Sequence, residues 1–504
     1  MIALRAAALL VLALRASASL AQDRPAEEDI FGKPAQETPS TPSTGGARPG
    51  NGQAGEPEPS AAETEREGPR ALEPDLAAER RLLESLVRTE DPLKIGGLLY
   101  LRSNLYSREQ TPPSHWTFTA PSLTDAYLDA RPTDRVRGFV LGRMFFDPTL
   151  PSTSSSSNPK VLLDQLWLSY DVQRRAFVTL GRQHVKWGVG RFWNPTDYLH
   201  AVRRDPLAVF DERTGTFMAR VQLPWERLGW NLSAVAVFEK LGMQATSTFV
   251  SSVEQPTSTT ATTSPGPSSD TVGAFGAGAR AEIVLGSWEL GLDAVAQRGI
   301  RPRYGIDLSG GLWELDLRGE LSLRTSSDVP LYRGSLTSFA TYEPAGIRPA
   351  AVLGIDWAHK YSDEDTFTMS FEYFYNSNGY AASDRGLYPV LLANNAFPFY
   401  YLGTHYAAVA LLLPKPGSWD LHSFTFSALA NLSDRSGIIR FDWNMTFLTY
   451  VVLEAYVQGH LGIKGGEFRL GIDVPALPTS GGTTSPVFLG APVVDFGLAL
   501  KLGL

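Results

Sequence analysis

Residues 315–324 read LDLRGELSLR. Leu315, Leu317, Leu321 and Leu323 fall on one face of an extended chain, with Gly319 among them. Asp316, Arg318, Glu320, Ser322 and Arg324 fall on the other, because successive strand side chains point to opposite faces. The same period of two starts near Lys94 and recurs to the end. Phe367, Met369, Phe371, Tyr373 and Tyr375 alternate with polar residues, as do Ile439, Phe441, Trp443, Met445 and Phe447. Val494, Phe496, Leu498, Leu500, Leu502 and Leu504 share one face of the last segment.

Alternation alone fits two solutions. In a soluble sandwich the apolar face points inward. In a membrane barrel the apolar face meets lipid and the polar face lines a lumen. Three further features select the barrel. Short connections (132–134, 173–175, 286–287, 415–418) alternate with long ones (149–159, 189–214, 241–271, 326–347, 379–402, 464–492), as in barrels with short periplasmic turns and long external loops. Trp225, Trp230, Trp288, Trp313 and Trp419 adjoin the short turns, where an indole suits the headgroup level. The final apolar strand needs a partner, and pairing it with the first closes the sheet and removes both edges.

About nineteen segments alternate. An even number is required if both chain ends are periplasmic. The weakest segment, 467–474, follows Gly465–Gly466 and precedes a Pro/Ser/Thr/Gly-rich stretch, so it is assigned to an external loop. The expected fold is an all-β, transmembrane antiparallel β-barrel of about 18 strands over 93–504, with 16 as the alternative.

What precedes the barrel divides into three parts. Residues 1–21 carry Arg5, an apolar run from Ala6 to Leu14 and Ser19-Leu20-Ala21, the pattern of a cleaved signal peptide. Residues 22–70 are rich in Pro, Glu, Ser, Thr and Gly, and hold too few large apolar side chains to offset the entropy of ordering; a disordered periplasmic leader is expected. Residues 71–92 include LEPDLAAERRLLESLV, whose apolar spacing is helical. A periplasmic handle, a lumen plug and a linker all remain open for it.

Composition excludes several function classes. The chain has 504 residues, no Cys and a formal net charge of −8. Disulfides, thiolate nucleophiles and Cys-based metal sites are therefore out. No long basic run offers a nucleic-acid footprint. The seven His show no H-E-x-x-H spacing, no G-x-S-x-G elbow is present, and His422 and Ser423 are adjacent strand residues facing opposite ways. No cofactor and no enzymatic activity are expected. The expected partners are outer-membrane lipid, small polar or anionic solutes, and the barrel-assembly and periplasmic chaperone machinery, with homo-oligomerisation left open.

The alternation breaks most sharply between Arg182 and Gly215. LGRQHVKWGVGRFWNPTDYL (180–199), followed by RRDPLAVFDERTG (203–215), resembles a motif of porin-like outer-membrane barrels of Gram-negative bacteria, among them alginate-export-type and uncharacterised porin-like families. The residues that carry the likeness are Gly181, Arg182, Gln183, Trp187, Gly188, Asn194, Pro195, Asp197, Asp205, Pro206, Asp211, Arg213 and Gly215. The resemblance implies an outer-membrane barrel and names no substrate. Leu504 departs from the aromatic residue that usually ends such barrels.

Polar faces give the candidate lumen wall: Arg137, Arg143, Asp316, Arg318, Glu320, Arg324, Arg440 and Asp442. Charges on a pore wall set ion preference, and the planar fork of Arg suits carboxylates and phosphates. Cross-strand pairing that only holds the wall together is the plainer role for the same charges. Within the broken stretch, Arg182, His184 and Lys186 are expected to face the lumen from the entering strand. Arg191, Arg203, Arg204 and Arg213 then stand against Asp197, Asp205, Asp211 and Glu212. The expectation is that 189–214 folds inward as a constriction of a channel. A plugged barrel serving as a surface scaffold or anchor is the alternative.

Overall fold

The computed structural model describes residues 92–503 apart from 151–157, 201–202, 209–210, 240, 242–273, 328, 363–364, 395, 475–477, 480–481 and 484–486. The signal-peptide, leader and helix assignments, and residue 504, lie outside the described residues.

Eighteen strands close into one antiparallel barrel. They are β1 (Leu93–Arg108), β2 (Ser122–Thr133), β3 (Val136–Phe146), β4 (Lys160–Val172), β5 (Ala176–Gln183), β6 (Thr216–Trp225), β7 (Trp230–Val237), β8 (Gly276–Leu285) and β9 (Trp288–Gln297). The second half comprises β10 (Ile300–Leu312), β11 (Leu315–Arg324), β12 (Arg348–Lys360), β13 (Thr366–Asn376), β14 (His405–Pro414), β15 (His422–Asn431), β16 (Ser436–Leu448), β17 (Val451–Gly462) and β18 (Pro492–Gly503). Each pairs with its chain neighbour. β18 closes the ring on β1, from Leu98 opposite Gly503 to Arg108 opposite Pro492. A three-residue spur, Thr117–Thr119, adds to the upper end of β1. Segment 467–474 stays out of the ring: Ile472–Val474 pairs only with Val487–Leu489, inside the β17–β18 connection.

The period of two sorts the side chains as lipid requires. Leu166, Leu168 and Tyr170 on β4, and Tyr304, Ile306 and Leu308 on β10, are exposed on the outer face. Asp307, Ser309, Glu320 and Ser322 on β10 and β11 are buried on the inner one. An exposed apolar belt around a closed sheet is stable only against hydrocarbon, and closure satisfies every backbone group within it. Trp225, Trp313 and Trp419 project at the short-turn end, and Trp313 is 93% exposed.

The end opposite the chain termini departs from the expected loop pattern in two places. β9 and β10 are joined there by Arg298–Gly299 alone, and β15 and β16 by residues 432–435. Gly299 (φ +78°) and Arg435 (φ +60°) supply the left-handed backbone that tight hairpins need. Two of the nine connections at that end are as tight as those at the other, so length alone does not distinguish the two ends.

Candidate functional site

The segment 184–215 leaves β5, crosses the lumen and returns to β6. Its far contacts lie on β11 to β15, across the ring from β5 and β6. Its conformation begins with glycine. Gly188 has φ +85°, and a Cβ there would fall 2.1 Å from Asn194 Oδ1. At Gly190 a Cβ would sit 1.8 Å from the Trp193 carbonyl oxygen. No other residue fits either place, and the tight turn leaves a run of backbone N–H groups pointing outward from the loop.

Two wall carboxylates take those donors. Glu320 on β11 accepts from Val189 N and Gly190 N (both 3.0 Å), Thr196 N (2.7 Å) and Thr196 Oγ1 (2.9 Å). Glu372 on β13 accepts from Arg191 N (2.7 Å), Phe192 N (3.1 Å) and Trp193 N (2.7 Å). Both acids are almost wholly buried. A buried carboxylate is costly unless hydrogen-bonded, and bonds to a charged acceptor contribute about 1.5–3 kcal/mol each. Arg324 Nη2 adds a bond to Pro195 O (2.8 Å), and Tyr198 donates to Tyr304 O or Ser322 Oγ, both at 2.8 Å.

Apolar contacts hold both ends of this crossbar. Near its root, Val185, Trp187, Tyr198 and Leu199 pack on inward-facing Met218, Val235, Val237 and Val295. Across the lumen, Phe192 and Trp193 pack on Val352, Phe374, Tyr406 and Leu429. Trp193 stacks on Phe374 at 5.5 Å, and its indole N–H reaches Tyr400 O at 2.9 Å.

The root is set by a β-bulge. The β3–β4 register slips between Leu141 and Gly142, opposite Asp164, which lies between paired Leu163 and Gln165. A bulge re-aims one side chain. Here Asp164 Oδ1 meets His184 Nε2 (2.9 Å) and Gly215 N (3.1 Å), the first and last residues of the crossing segment, while Oδ2 faces Arg143 at 3.4 Å.

Most of the expected constriction residues come together here, largely as pairs. Arg213 bridges Asp197 (2.8 Å) and Asp211 (2.7 Å) within the loop. Glu212 reaches Arg102 on β1 (2.8 Å), and Arg191 reaches Asp356 on β12 (3.3 Å), which Arg318 also holds at 2.8 Å. Arg203 lies over the Tyr401 ring at 4.7 Å, and Arg204 O accepts from Tyr401 OH. Asp205 accepts only from Leu207 N (2.9 Å) among the described residues. Burial raises the Asp211 carboxyl, but the hydrogen bonds and charge of Arg213 outweigh it and hold the group well below the usual carboxylate range. His200 lies beside His184, with ring centres 5.3 Å apart and tilted by 33°; burial, then the Arg213 charge, pushes its imidazole down to about 4.

The wall residues are also mostly paired. Arg143 binds directly opposed Asp125 through two bonds of 2.8 Å, and Arg137 binds Asp129 through two of 2.9 Å. Arg440 uses Nε and Nη2 on Asp442 and lies 3.9 Å from the centre of the Tyr456 ring. Asp316, near the short-turn end, is exposed.

Arg182 requires a correction. It does not face the lumen. It shares a face with Val178 and Leu180, stands opposite Leu166 and Phe217, and is ion-paired with Glu239. Its neighbour Gln183 is the inward residue. Polarity suggested the inner face, but the strict period from Leu180 puts it outside, at the top of the strand where the apolar belt has ended. Lys186 lies beyond the end of β5 and is exposed, so the entering strand delivers neither cation to the lumen. His184 does turn inward, to Asp164.

Reading polar faces missed Glu372, Asp164 and Asp356. Glu372 carried a signal, as the one charge in the otherwise uncharged strand TFTMSFEYFYN. Asp164 carried none, because a bulge is invisible to a period-two count.

These features define a closed eighteen-stranded transmembrane β-barrel with an internal crossing loop. No family model matches the chain, and no curated protein matches it. Among solved structures it is similar to mutant forms of Rhodopseudomonas blastica porin. One has 9% sequence identity and a TM-score of 0.39, with 82% of this chain and all of the porin covered. A second has 8% identity, the same TM-score and the same coverage. The barrel described above rests on its own strand pairing, independently of that likeness.

Proposed function

We infer that the protein is an outer-membrane channel of the porin kind, passing small polar or anionic solutes, with 189–214 as its constriction. The observation that carries this reading is the crossbar itself. A charged loop is held across the lumen by seven bonds to Glu320 and Glu372, four to the first and three to the second. A rigid element of that kind narrows an aqueous path while leaving charged side chains along it. The planar guanidinium groups of Arg203 and Arg204 suit a carboxylate or phosphate in transit, while those of Arg191 and Arg213 are held by Asp356, Asp197 and Asp211.

A plugged barrel acting as a surface scaffold is the second reading. It is favoured by the apolar cluster around Phe192, Trp193 and Phe468, which fills lumen space with hydrocarbon. Planar-bilayer recordings separate the two. A channel gives discrete conductance steps that rise several-fold when Arg191–Asp211 is replaced by a short Gly/Ser linker, with a shift in ion selectivity. A scaffold gives no steps from the intact chain. Steps that ignore the replacement remove the constriction from the account.

A further inference from the structure

One arginine of the lumen wall stands apart from the rest. Arg137, Arg143, Arg280, Arg318 and Arg440 each hold an acid at 2.6–2.9 Å. Arg220 on β6 has no ion pair and no hydrogen bond among the described residues, and its Nε is buried without an acceptor. It shares the inward face of β6 with Met218, and its partner across to β7 is Val235. Both of those pack in the apolar root of the crossbar, so Arg220 sits at the edge of that root. The acid whose charge reaches it, Glu282 on β8, is already bonded to Arg280 and Asn231, both at 2.9 Å. A half-buried guanidinium with a dehydrated donor and no acceptor carries a desolvation cost that an anion arriving through the lumen relieves.

Two strands away the same inner face carries a ladder of rings. Tyr127, Phe139 and Trp167, on β2, β3 and β4, stack in sequence with ring centres 6.0 and 5.5 Å apart and planes 23° and 25° from parallel. All three are half-buried, and on the inner face what remains exposed looks into the lumen. Phe139 and the Arg137 guanidinium, 5.4 Å from the ring centre, both approach Trp167 from β3. From β5 its cross-strand partner is Gly181, which brings no side chain. A Cβ there would fall 2.1 Å from the Leu166 carbonyl oxygen, so the backbone itself keeps the place bare. Beside it Thr179, paired with Arg220 and bonded to Ser169 Oγ at 3.1 Å, makes a short polar floor. The ladder thus stops at Trp167, and the next tall side chain round the wall at this level is Arg220. At ordinary strand spacing β4 and β6 are about 10 Å apart, a gap that a flat ring bridges from indole to guanidinium.

A stacked ring series ending beside an unpaired guanidinium is the chemistry that recognises a planar ring bearing an anion, through ring stacking and a forked pair of charge-assisted bonds. We propose that this part of the lumen wall binds an aromatic carboxylate, its ring extending the Tyr127–Phe139–Trp167 ladder over Gly181 and its carboxylate held by Arg220. The site rests on the reading of the protein as a channel for anionic solutes and narrows those solutes to one class. It lies on β2 to β6, on the wall and not within the crossing loop.

The test is equilibrium binding by calorimetry to the purified full-length barrel in nanodiscs, corrected against empty nanodiscs, so it does not depend on conductance. Benzoate is the probe. Benzyl alcohol, a ring without the charge, and acetate, the charge without a ring, are the controls. Benzoate should bind about tenfold or more tightly than either control. Arg220→Gln and Trp167→Leu should each weaken benzoate binding about tenfold while leaving heat-modifiable gel migration intact, which verifies the fold. Benzyl alcohol or acetate binding as well as benzoate, or unchanged benzoate binding in either variant, overturns the proposal. Benzoate binding without conductance steps would leave this site standing and remove the channel; steps without benzoate binding would do the reverse.

Discussion

Two arcs of the lumen wall solve the same problem in different ways. On β8, β9 and β10, Arg280 sits among inward acids and bonds Asp307 at 2.6 and 3.0 Å, Glu282 at 2.9 Å and Asp293 at 3.3 Å. On β12 to β16 the inward positions include Ala350, Val352, Phe374, Ala408, Leu429 and Ile438, with apolar side chains from three connections packed over them. In the first arc the strands satisfy one another. In the second they are incomplete until loops arrive. The crossbar docks on the second arc and its border: its backbone donors go to Glu320 on β11 and Glu372 on β13, and Phe192 and Trp193 pack on the apolar side chains beside them.

This contrast can be broken deliberately. The largest effect is expected from Glu320→Ala combined with Glu372→Ala. Seven bonds disappear, and at a net contribution of about 1 kcal/mol each this is the largest loss that two substitutions can impose on the loop. Limited proteolysis of the folded barrel should then cut within 189–214, and open-channel noise should rise. Resistance equal to wild type would mean that the apolar ends hold the crossbar unaided.

Trp193→Ala probes those ends alone. Removing a fully buried indole costs about 3–5 kcal/mol, here as local loosening, because the strand ring does not depend on it. Hydrogen exchange should speed up in 188–198 while the amides of β11 and β13 keep their protection. Exchange that stays slow in the loop would shift the weight back to the carboxylates.

For the charged arc, Arg280→Ala leaves Asp293 and Asp307 buried without a cation, a loss of about 3 kcal/mol. The temperature of heat-modified migration should fall, with loop proteolysis unchanged. A loop that loosened in this variant would join two arcs that the geometry keeps separate. The smallest effect belongs to Arg182→Ala. Its pair with Glu239 is on the outer face and about a third exposed, so less than about 1 kcal/mol is expected. Conductance and selectivity should not move. A changed selectivity would return Arg182 to the lumen.

Legibility in the sequence followed the period. LDLRGELSLR announced both faces of β11, and the inward placement of Arg318, Glu320 and Arg324 is what it implied. The same rule misplaced Arg182, because polarity and parity disagree at a strand end. It also had nothing to say about β14, HYAAVALLLP, where apolar residues face both ways. There the inner face was decided by Trp193 and Phe399, far away in the chain. The breakdown of alternation at Arg182–Gly215 marked the loop correctly. The acids that receive it, 130 and 180 residues further on, are set only by ring closure.

The sequence by itself determined the barrel. Period two, turn chemistry and the parity of strands act between neighbours in the chain, and lipid leaves a closed sheet as the only way to satisfy them. Tertiary structure alone decided what fills the lumen. Which carboxylate meets which N–H, which arc stays apolar and which arginine is left unpaired all depend on strands brought opposite one another by closure, and no local pattern encodes that distance.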